Sequence, residues 1–353
     1  MLDIELYKEL VNLNGISGHE KSVRKVLRRE LEKLNVTLYQ DKLGSLVGES
    51  KGNGPKIMFT GHMDEVGFMI SKIEENGLLK ILPVGGIKPE VYVSQNMNVI
   101  VSEDKVIKGI IGSIPPHLSK EPKPIAISDL ILDIGADSIE HAKSMGVEIG
   151  QQVVSDNNFY FTFDNKKIVS KAWDNRFGVG LAIEVMRYAI THNHPNTIFC
   201  GATVQEEVGL RGVRTLTQMI KPDFFFAFDV TTATDYMGKQ ALSDSKLGEG
   251  FIVRFLDPSC VMNPALKDFI IDVAKRHNIK YQLFAPSGST DAGNAQYAND
   301  GVFSTCLAVC ARYIHSTASM IHVDDMEALK QLAFAIVDEL DDKKMQEILE
   351  NMG

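Results

Sequence analysis

The sequence predicts an α/β fold interrupted by a mostly-β insert, and three observations carry that prediction. Short apolar runs at 56–60, 197–204, 224–228 and 302–309 alternate with helix-period segments, the pattern of a sheet covered by helices. Between 66 and 164 the helical period nearly vanishes, and short β-like runs with turn residues replace it. The chain has 353 residues, more than one hydrophobic core comfortably serves.

The elements follow in chain order. Ser17-Gly18-His19-Glu20 reads as a capping box, with Ser17 as N-cap and Glu20 reaching back. The helix it starts is predicted to run to about Leu34, with Val23, Val26, Leu27, Leu31 and Leu34 on one face. Lys56-Ile57-Met58-Phe59-Thr60 is a buried strand that ends at Gly61-His62-Met63-Asp64. Within the insert, Asn76-Gly77 between two apolar runs is a hairpin signal. Met97–Val101 and Val106–Ile111 flank a second turn, Ile114–Pro124 with its four prolines reads as an exposed loop, and only Ser138–Met145 looks helical.

From Ile168 the α/β pattern returns. A helix follows Asp174-Asn175-Arg176, then come the strand 197–204 and the strand Phe224–Phe228, which ends at Asp229. Asn263-Pro264 opens a helix as N-cap and first residue, and Lys275-Arg276-His277 closes it before Asn278. Val302–Val309 leads to Arg312-Tyr313-Ile314-His315, and Asp324 is expected to cap the last long helix. The first α/β stretch is too short to fold alone. Residues 1–65 and 165–353 are therefore expected to share one sheet, with 66–164 inserted.

Net charge is −9 with acids and bases interspersed, so no basic stripe offers itself to nucleic acid. Cys200, Cys260, Cys306 and Cys310 have no CxxC spacing and read as reduced core residues of a cytoplasmic protein. The acidic start Met1-Leu2-Asp3-Ile4-Glu5 is unlike a signal peptide, and no membrane span is expected. HExxH, GxSxG, P-loop and GxGxxG motifs are absent.

Polar residues fall where the apolar strands end: His62 and Asp64, Glu206 and Glu207, Asp229, and His315, with Asp174 just before a helix. Open α/β sheets gather their sites at the carboxyl ends of strands. Each residue has a bland reading: His62 as a structural imidazole, Asp174 as an N-cap, Asp64 and Asp229 as loop acids. For the adjacent pair Glu206-Glu207 the bland reading is a strand that ends with both side chains in water; the other is a cation that relieves two neighbouring carboxylates, which repel and resist burial. Imidazole and carboxylate ligands suit zinc, cobalt or manganese. If His62, Asp174, Glu207, Asp229 and His315 are ligands, one divalent ion under-compensates three carboxylates. Two ions sharing a carboxylate, at a separation of about 3.5–4 Å, compensate them.

At these residues the sequence resembles the M42 family of dinuclear metallo-aminopeptidases. The matching stretches are Gly61-His62-Met63-Asp64-Glu65-Val66-Gly67, Ala172-Trp173-Asp174-Asn175-Arg176, Val204-Gln205-Glu206-Glu207-Val208-Gly209-Leu210-Arg211-Gly212, Phe228-Asp229-Val230, Thr290-Asp291-Ala292-Gly293 and Arg312-Tyr313-Ile314-His315-Ser316. They span nearly the whole chain. The resemblance implies a three-layer α/β/α peptidase domain and a β-barrel-like insert used for assembly, often into a dodecamer. It implies two divalent metal ions, zinc or cobalt with manganese an option, and peptide substrates. It implies His62, Asp174 (bridging), Glu207, Asp229 and His315 as ligands, Glu206 as general base and Asp64 as the acid supporting His62.

Arg254-Phe255-Leu256-Asp257-Pro258 and Val309-Cys310-Ala311-Arg312-Tyr313 look most like the glutamyl aminopeptidases of that family. Arg254 is then a candidate receptor for an acidic substrate side chain; the plainer reading is a strand-edge arginine in a surface ion pair. A broad or neutral preference is the alternative within the family. Outside it, a glycosidase would use two carboxylates without histidine ligands, and a non-enzymatic shell protein would have no need of the ligand set.

Overall fold

The computed structural model describes residues 1–118, 124–156, 158–238 and 244–352. An eight-stranded mixed sheet runs in the order Thr37–Gln40, Leu46–Ser50, Thr197–Thr203, Lys56–His62, Phe224–Thr232, Phe303–Ala311, Phe251–Arg254, Tyr281–Phe284. The four central strands are mutually parallel. Lys56–His62 pairs on both sides with strands from the far side of the insert, so the two α/β segments share one sheet.

Period-two burial divides the sheet residues between two cores. Ile57, Phe59, Phe226, Phe228 and Val309 pack under helices that include Trp173–Thr191, Pro264–Arg276 and Val323–Glu339. Met58, Phe225, Ala227 and Ala308 pack on the other face, with Val213 and Leu216 of helix Arg211–Ile220. The result is the three-layer α/β/α arrangement. Cys200, Cys260, Cys306 and Cys310 are free and buried within it.

The insert is a closed barrel of Gly67–Ile73, Leu79–Val84, Ile131–Asp133, Lys105–Ile111, Asn96–Ser102 and Gln152–Ser155, with its own core around Phe68, Ile81, Val99 and Leu132. Its first hairpin turns at Asn76-Gly77, where Ile73 pairs with Leu79 and Gly77 holds φ +83°. Ser138 caps the short helix Ile139–Ser144 by accepting from the His141 amide. The expected proline loop lies partly outside the described residues, at 119–123.

Three local expectations need correction. Ser17 and Glu20 do not form a capping box; helix Lys21–Glu32 starts without a side-chain cap. A missing cap costs a helix about 1 kcal/mol, and both side chains are engaged elsewhere, as described below. Asp324 lies inside the first turn of helix Val323–Glu339, and His322 is the cap that accepts its amide. The strand carrying Asp229 does not end there; it pairs with Phe303–Ala311 as far as Thr232. No helix among the described residues is long and apolar enough to cross a membrane.

Candidate metal centre

Strand register decides which residues meet at the sheet edge. Thr203 pairs with His62, and Ala227 pairs with Thr60, so Asp229 sits level with His62. Pairing between those two strands stops at Ala227 while the Asp229 strand continues. A crevice opens at this point, above the carboxyl end of the His62 strand.

Asp174 reaches the same crevice from the helical layer. A Cβ on Gly61 would lie 2.4 Å from the Gly178 carbonyl carbon, and one on Gly178 would lie 2.5 Å from the Phe228 oxygen. Only glycine at both positions lets the helix start this close to the sheet. Asn175 locks the approach by donating to the Phe228 carbonyl at 2.7 Å and accepting from the Gly178 amide at 2.9 Å. Asp174 has non-helical dihedrals (φ −82°, ψ 104°), and the helix start has no side-chain cap, so the N-cap reading does not describe it.

The glutamates follow Thr203 through Gln205, whose φ is +57°. That left-handed residue turns the chain, and the two carboxylates stay close: one oxygen of each lies within 4.8 Å of the other and of a His62 ring nitrogen. Glu206 Oε2 lies 3.8 Å from His62 Nε2, and Glu207 Oε1 lies 3.5 Å from His315 Nε2. Asp64 accepts both backbone amides, Glu206 N on Oδ1 and Glu207 N on Oδ2, each at 3.1 Å.

The five expected ligands therefore converge. Ligand atoms of His62, Asp174 and Asp229 lie within 4.8 Å of one another, and so do those of Asp174, Glu207 and His315. Asp174 belongs to both groups: Oδ1 is 3.1 Å from His62 Nε2, and Oδ2 is 3.3 Å from His315 Nε2. One oxygen facing each histidine is the disposition a bridging carboxylate needs. His62 Nδ1 lies 3.0 Å from the Asp64 carbonyl, and His315 Nδ1 lies 2.8 Å from the Gly86 carbonyl. Each carbonyl can only accept, so both rings carry a proton on Nδ1. As metal ligands both rings would be neutral, with Nε2 lone pairs aimed at carboxylate oxygens and a cation needed between them. Glu207 Oε1 is buried without a hydrogen-bond partner. The donor set fits divalent metal ions.

The electrostatics point the same way. Burial, reinforced by the charges of Glu207 and Asp229, pushes the Glu206 carboxyl well above its usual range. Burial raises Glu207 to about 8, with Asp174 adding to it, and raises Asp229 to about 7, again with Asp174. Burial opposes the charging of His315, but its hydrogen bond to Asp174 and the nearby Glu207 charge lift it to about 10. Groups that hold protons this tightly carry negative charge that a cation could equally neutralise.

Glu65, Arg176 and Asp291 lie in the matching sequence stretches, but only the structure gives them partners. Asp291, buried and raised to about 7 chiefly by burial, accepts from Thr203 Oγ1 at 2.5 Å. Glu65 accepts from Lys171 Nζ at 2.8 Å and from Arg176 Nη2 at 3.2 Å, all three fully or nearly fully buried. Arg176 also donates to the carbonyls of Leu10, Leu13, Gly15 and Met63, tying the amino terminus to the His62 turn. Leaving one member of such a buried cluster unpaired costs roughly 3–5 kcal/mol. Arg254 is 6% exposed rather than at the surface. It donates to Asp257 at 3.1 Å and to the Gly288 carbonyl, and its Nε has no partner.

The model of the M42 glutamyl aminopeptidase family matches residues 44–332. The chain belongs to the M42 peptidase family. It is 36% identical to the glutamyl aminopeptidase of Lactococcus lactis over 97% of both chains. It is 32% identical to the lysyl aminopeptidase of Pyrococcus furiosus over 96% of this chain and 98% of that one. Among solved M42-like structures, the TET aminopeptidase of a marine-sediment thaumarchaeon superposes with a TM-score of 0.94 at 34% identity, covering 98% and 99% of the two chains. The TET1 peptidase of Pyrococcus horikoshii superposes at 0.86 with 32% identity over 95% and 99%, and it assembles into a tetrahedron or a large octahedral shell. A PhTET1 structure contains a dodecamer. The chain is thus a peptidase of a family that uses divalent metal ions.

Proposed function

We propose that this M42 chain is a two-metal aminopeptidase that removes the N-terminal residue from peptides. Asp174, with one oxygen toward each histidine, is the observation that carries the reading. His62, Asp229 and Asp174 would hold one ion, and His315, Glu207 and Asp174 the other. Two such ions supply Lewis acidity, polarising a carbonyl and acidifying water. The chain's own contribution is proton handling. Glu206 takes the proton of the attacking water and delivers it to the leaving amine. Glu206 is left free to titrate, while Glu207 is committed to a metal. Asp64 supports His62 through the carbonyl contact at 3.0 Å.

Zinc or cobalt is the proposed metal, with manganese tested beside them. An N-terminal Glu or Asp is the proposed preference, supported by the similarity to a glutamyl enzyme and opposed by the similarity to a lysyl one. Arg254 is the candidate source of that preference. Because Asp257 already offsets its charge, the expected advantage over Leu is about tenfold or less, roughly 1.4 kcal/mol. We further propose that 66–164 is the assembly insert on a catalytic unit of 1–65 and 165–353. A homo-oligomer, a dodecamer like that of the TET relative, is the proposed state, and the four free thiols support a cytoplasmic setting.

The test is a panel of Glu-, Leu- and Lys-anilides assayed on chelator-stripped protein with zinc, cobalt or manganese restored. Restored aminopeptidase turnover supports the reading. Activity indifferent to chelator sinks it and reopens the glycosidase, which needs two carboxylates and no metal. Faster cleavage of Leu or Lys removes only the acidic preference.

A further inference from the structure

Ser17 and Glu20, which the sequence presents as a helix cap, face the catalytic crevice instead. Both are buried. Ser17 Oγ donates to Asp64 Oδ2 at 2.6 Å. Glu20 Oε1 accepts from the Gly18 amide at 2.8 Å and from the Gln205 amide at 3.2 Å. The loop that carries them is fixed to the His62 turn, where Glu65 N donates to the Gly15 carbonyl at 3.0 Å and Ile16 bridges Glu65 in parallel.

Three successive amides, Gln205, Glu206 and Glu207, are therefore received by two buried carboxylates, Glu20 and Asp64. This is the turn that carries the two glutamates. Gln205 is a non-glycine residue at φ +57°, a conformation that needs support from its surroundings. Asp64 grips the turn at two points, and Ser17 fixes the Asp64 oxygen that holds Glu207. Glu20 grips the residue whose conformation sets where the two carboxylates go. Charge-assisted hydrogen bonds to amides are short-range and directional, so small shifts in either carboxylate move the Glu206 side chain.

We propose that Ser17 and Glu20 are positioning residues for the general base: they hold the Gln205–Glu207 turn so that Glu206 meets the attacking water while Glu207 stays in the metal set. The proposal rests on the aminopeptidase reading for its kinetic part only. A misplaced base lowers kcat and leaves substrate binding alone, because Glu206 acts in the proton transfer.

The experiment compares Ser17→Ala, Ser17→Thr and Glu20→Gln with the parent protein. Ser138→Ala is the control, removing a true helix cap in the barrel. Three quantities are read: kcat and KM separately, metal affinity by chelator competition, and hydrogen exchange of the peptide containing 205–207. We expect Ser17→Ala and Glu20→Gln to lower kcat about 10–100-fold, the size of outer-shell effects. KM should stay within about twofold, and the 205–207 amides should exchange faster. Ser17→Thr should restore most of the turnover, and Ser138→Ala should change none of the three. Unchanged kcat and unchanged exchange at 205–207 in both variants overturn the proposal. So does a kcat loss accompanied by equal loss of metal or by faster exchange throughout the chain. If the parent protein cleaves no aminoacyl anilide while the exchange at 205–207 still responds, the aminopeptidase reading falls and the holding of the turn stands.

Discussion

The two halves of the proposed metal centre are built differently. His62 and Asp229 stand on adjacent parallel strands, level in register and only 3% and 5% exposed. His62 is oriented by the carbonyl of Asp64, two residues along its own turn. His315 stands on a loop with φ +57°, its side chain 33% exposed. Its orienting carbonyl, Gly86, belongs to the barrel. The barrel also supplies Tyr92 to the His315 carbonyl and Gln95 to Thr317. One half is set by the sheet itself, and the other depends on how the insert sits against the peptidase layer. The expectation is two unequal sites: a tight one at His62 and a weaker, more readily stripped one at His315.

The hardest test of that division is the residue common to both halves. Asp174→Ala removes an oxygen from each group and should lose both metals, with activity down by about 10⁴-fold or more, beyond what a single proton-transfer residue supplies. Metal content after gel filtration checks it. One ion retained at full affinity would show that Asp174 serves a single site.

Glu206→Gln should act on neither half. The amide keeps the side chain's shape but cannot take a proton, so turnover should fall about 10²–10⁴-fold while both metals stay bound. Near-normal turnover would remove Glu206 from the base role and leave the comparison of the halves intact.

The sequence disclosed these halves unequally, for the same physical reason. The central strands were legible as continuous apolar runs, because a strand buried on both faces must be apolar throughout. His62, Glu206 and Glu207 could therefore be placed at strand ends; Asp229 is expected at one too, although its strand runs on to Thr232. Asp174 and His315 rested on proximity to a helix and to a strand end, and the family resemblance made them ligands. The roles of Gly86, Ser17, Glu20 and Lys171 were not legible. Their partners lie 229, 47, 185 and 106 residues away in the chain. Ser17 and Glu20 misled because a serine three residues before a glutamate satisfies a local rule that the tertiary structure overrides.

Without metal, the centre should make stability depend on pH in a direction opposite to that of most acidic clusters. Glu207 at about 8 and His315 at about 10 both bind protons more tightly when folded than their ordinary values of 4.5 and 6.5. Their contribution is fully present below those ordinary values and is lost as pH rises through 8 and then 10. Asp174, held low by its histidines, changes only at acid pH, below its ordinary 3.8. Chelator-stripped protein should therefore melt at a lower temperature at pH 8.5 than at pH 5.5, by a few degrees for each kcal/mol lost. Saturating zinc should remove most of the difference, because the ions take the place of the protons. Melting scans with and without metal at the two pH values decide it. A metal-free protein more stable at pH 8.5 would mean that the carboxylates are not packed as described.

The smallest and most selective change is Gly86→Ala. A Cβ there would lie 3.3 Å from His315 Nδ1, close enough to displace the ring by a few tenths of an ångström. Gly86 does not have a positive φ, so the alanine brings no backbone penalty of the left-handed kind. The carbonyl that orients His315 remains, but the ring it orients must shift. Outer-partner changes of this sort lower metal affinity about tenfold. The loss should fall on the His315 side alone, with the His62 side unmoved. A two-step chelator titration separates them: the first step should move to lower chelator concentration, and the second should stay in place. Equal movement of both steps would mean that the barrel turn acts on the whole centre through Asp174, and that the two halves are one unit.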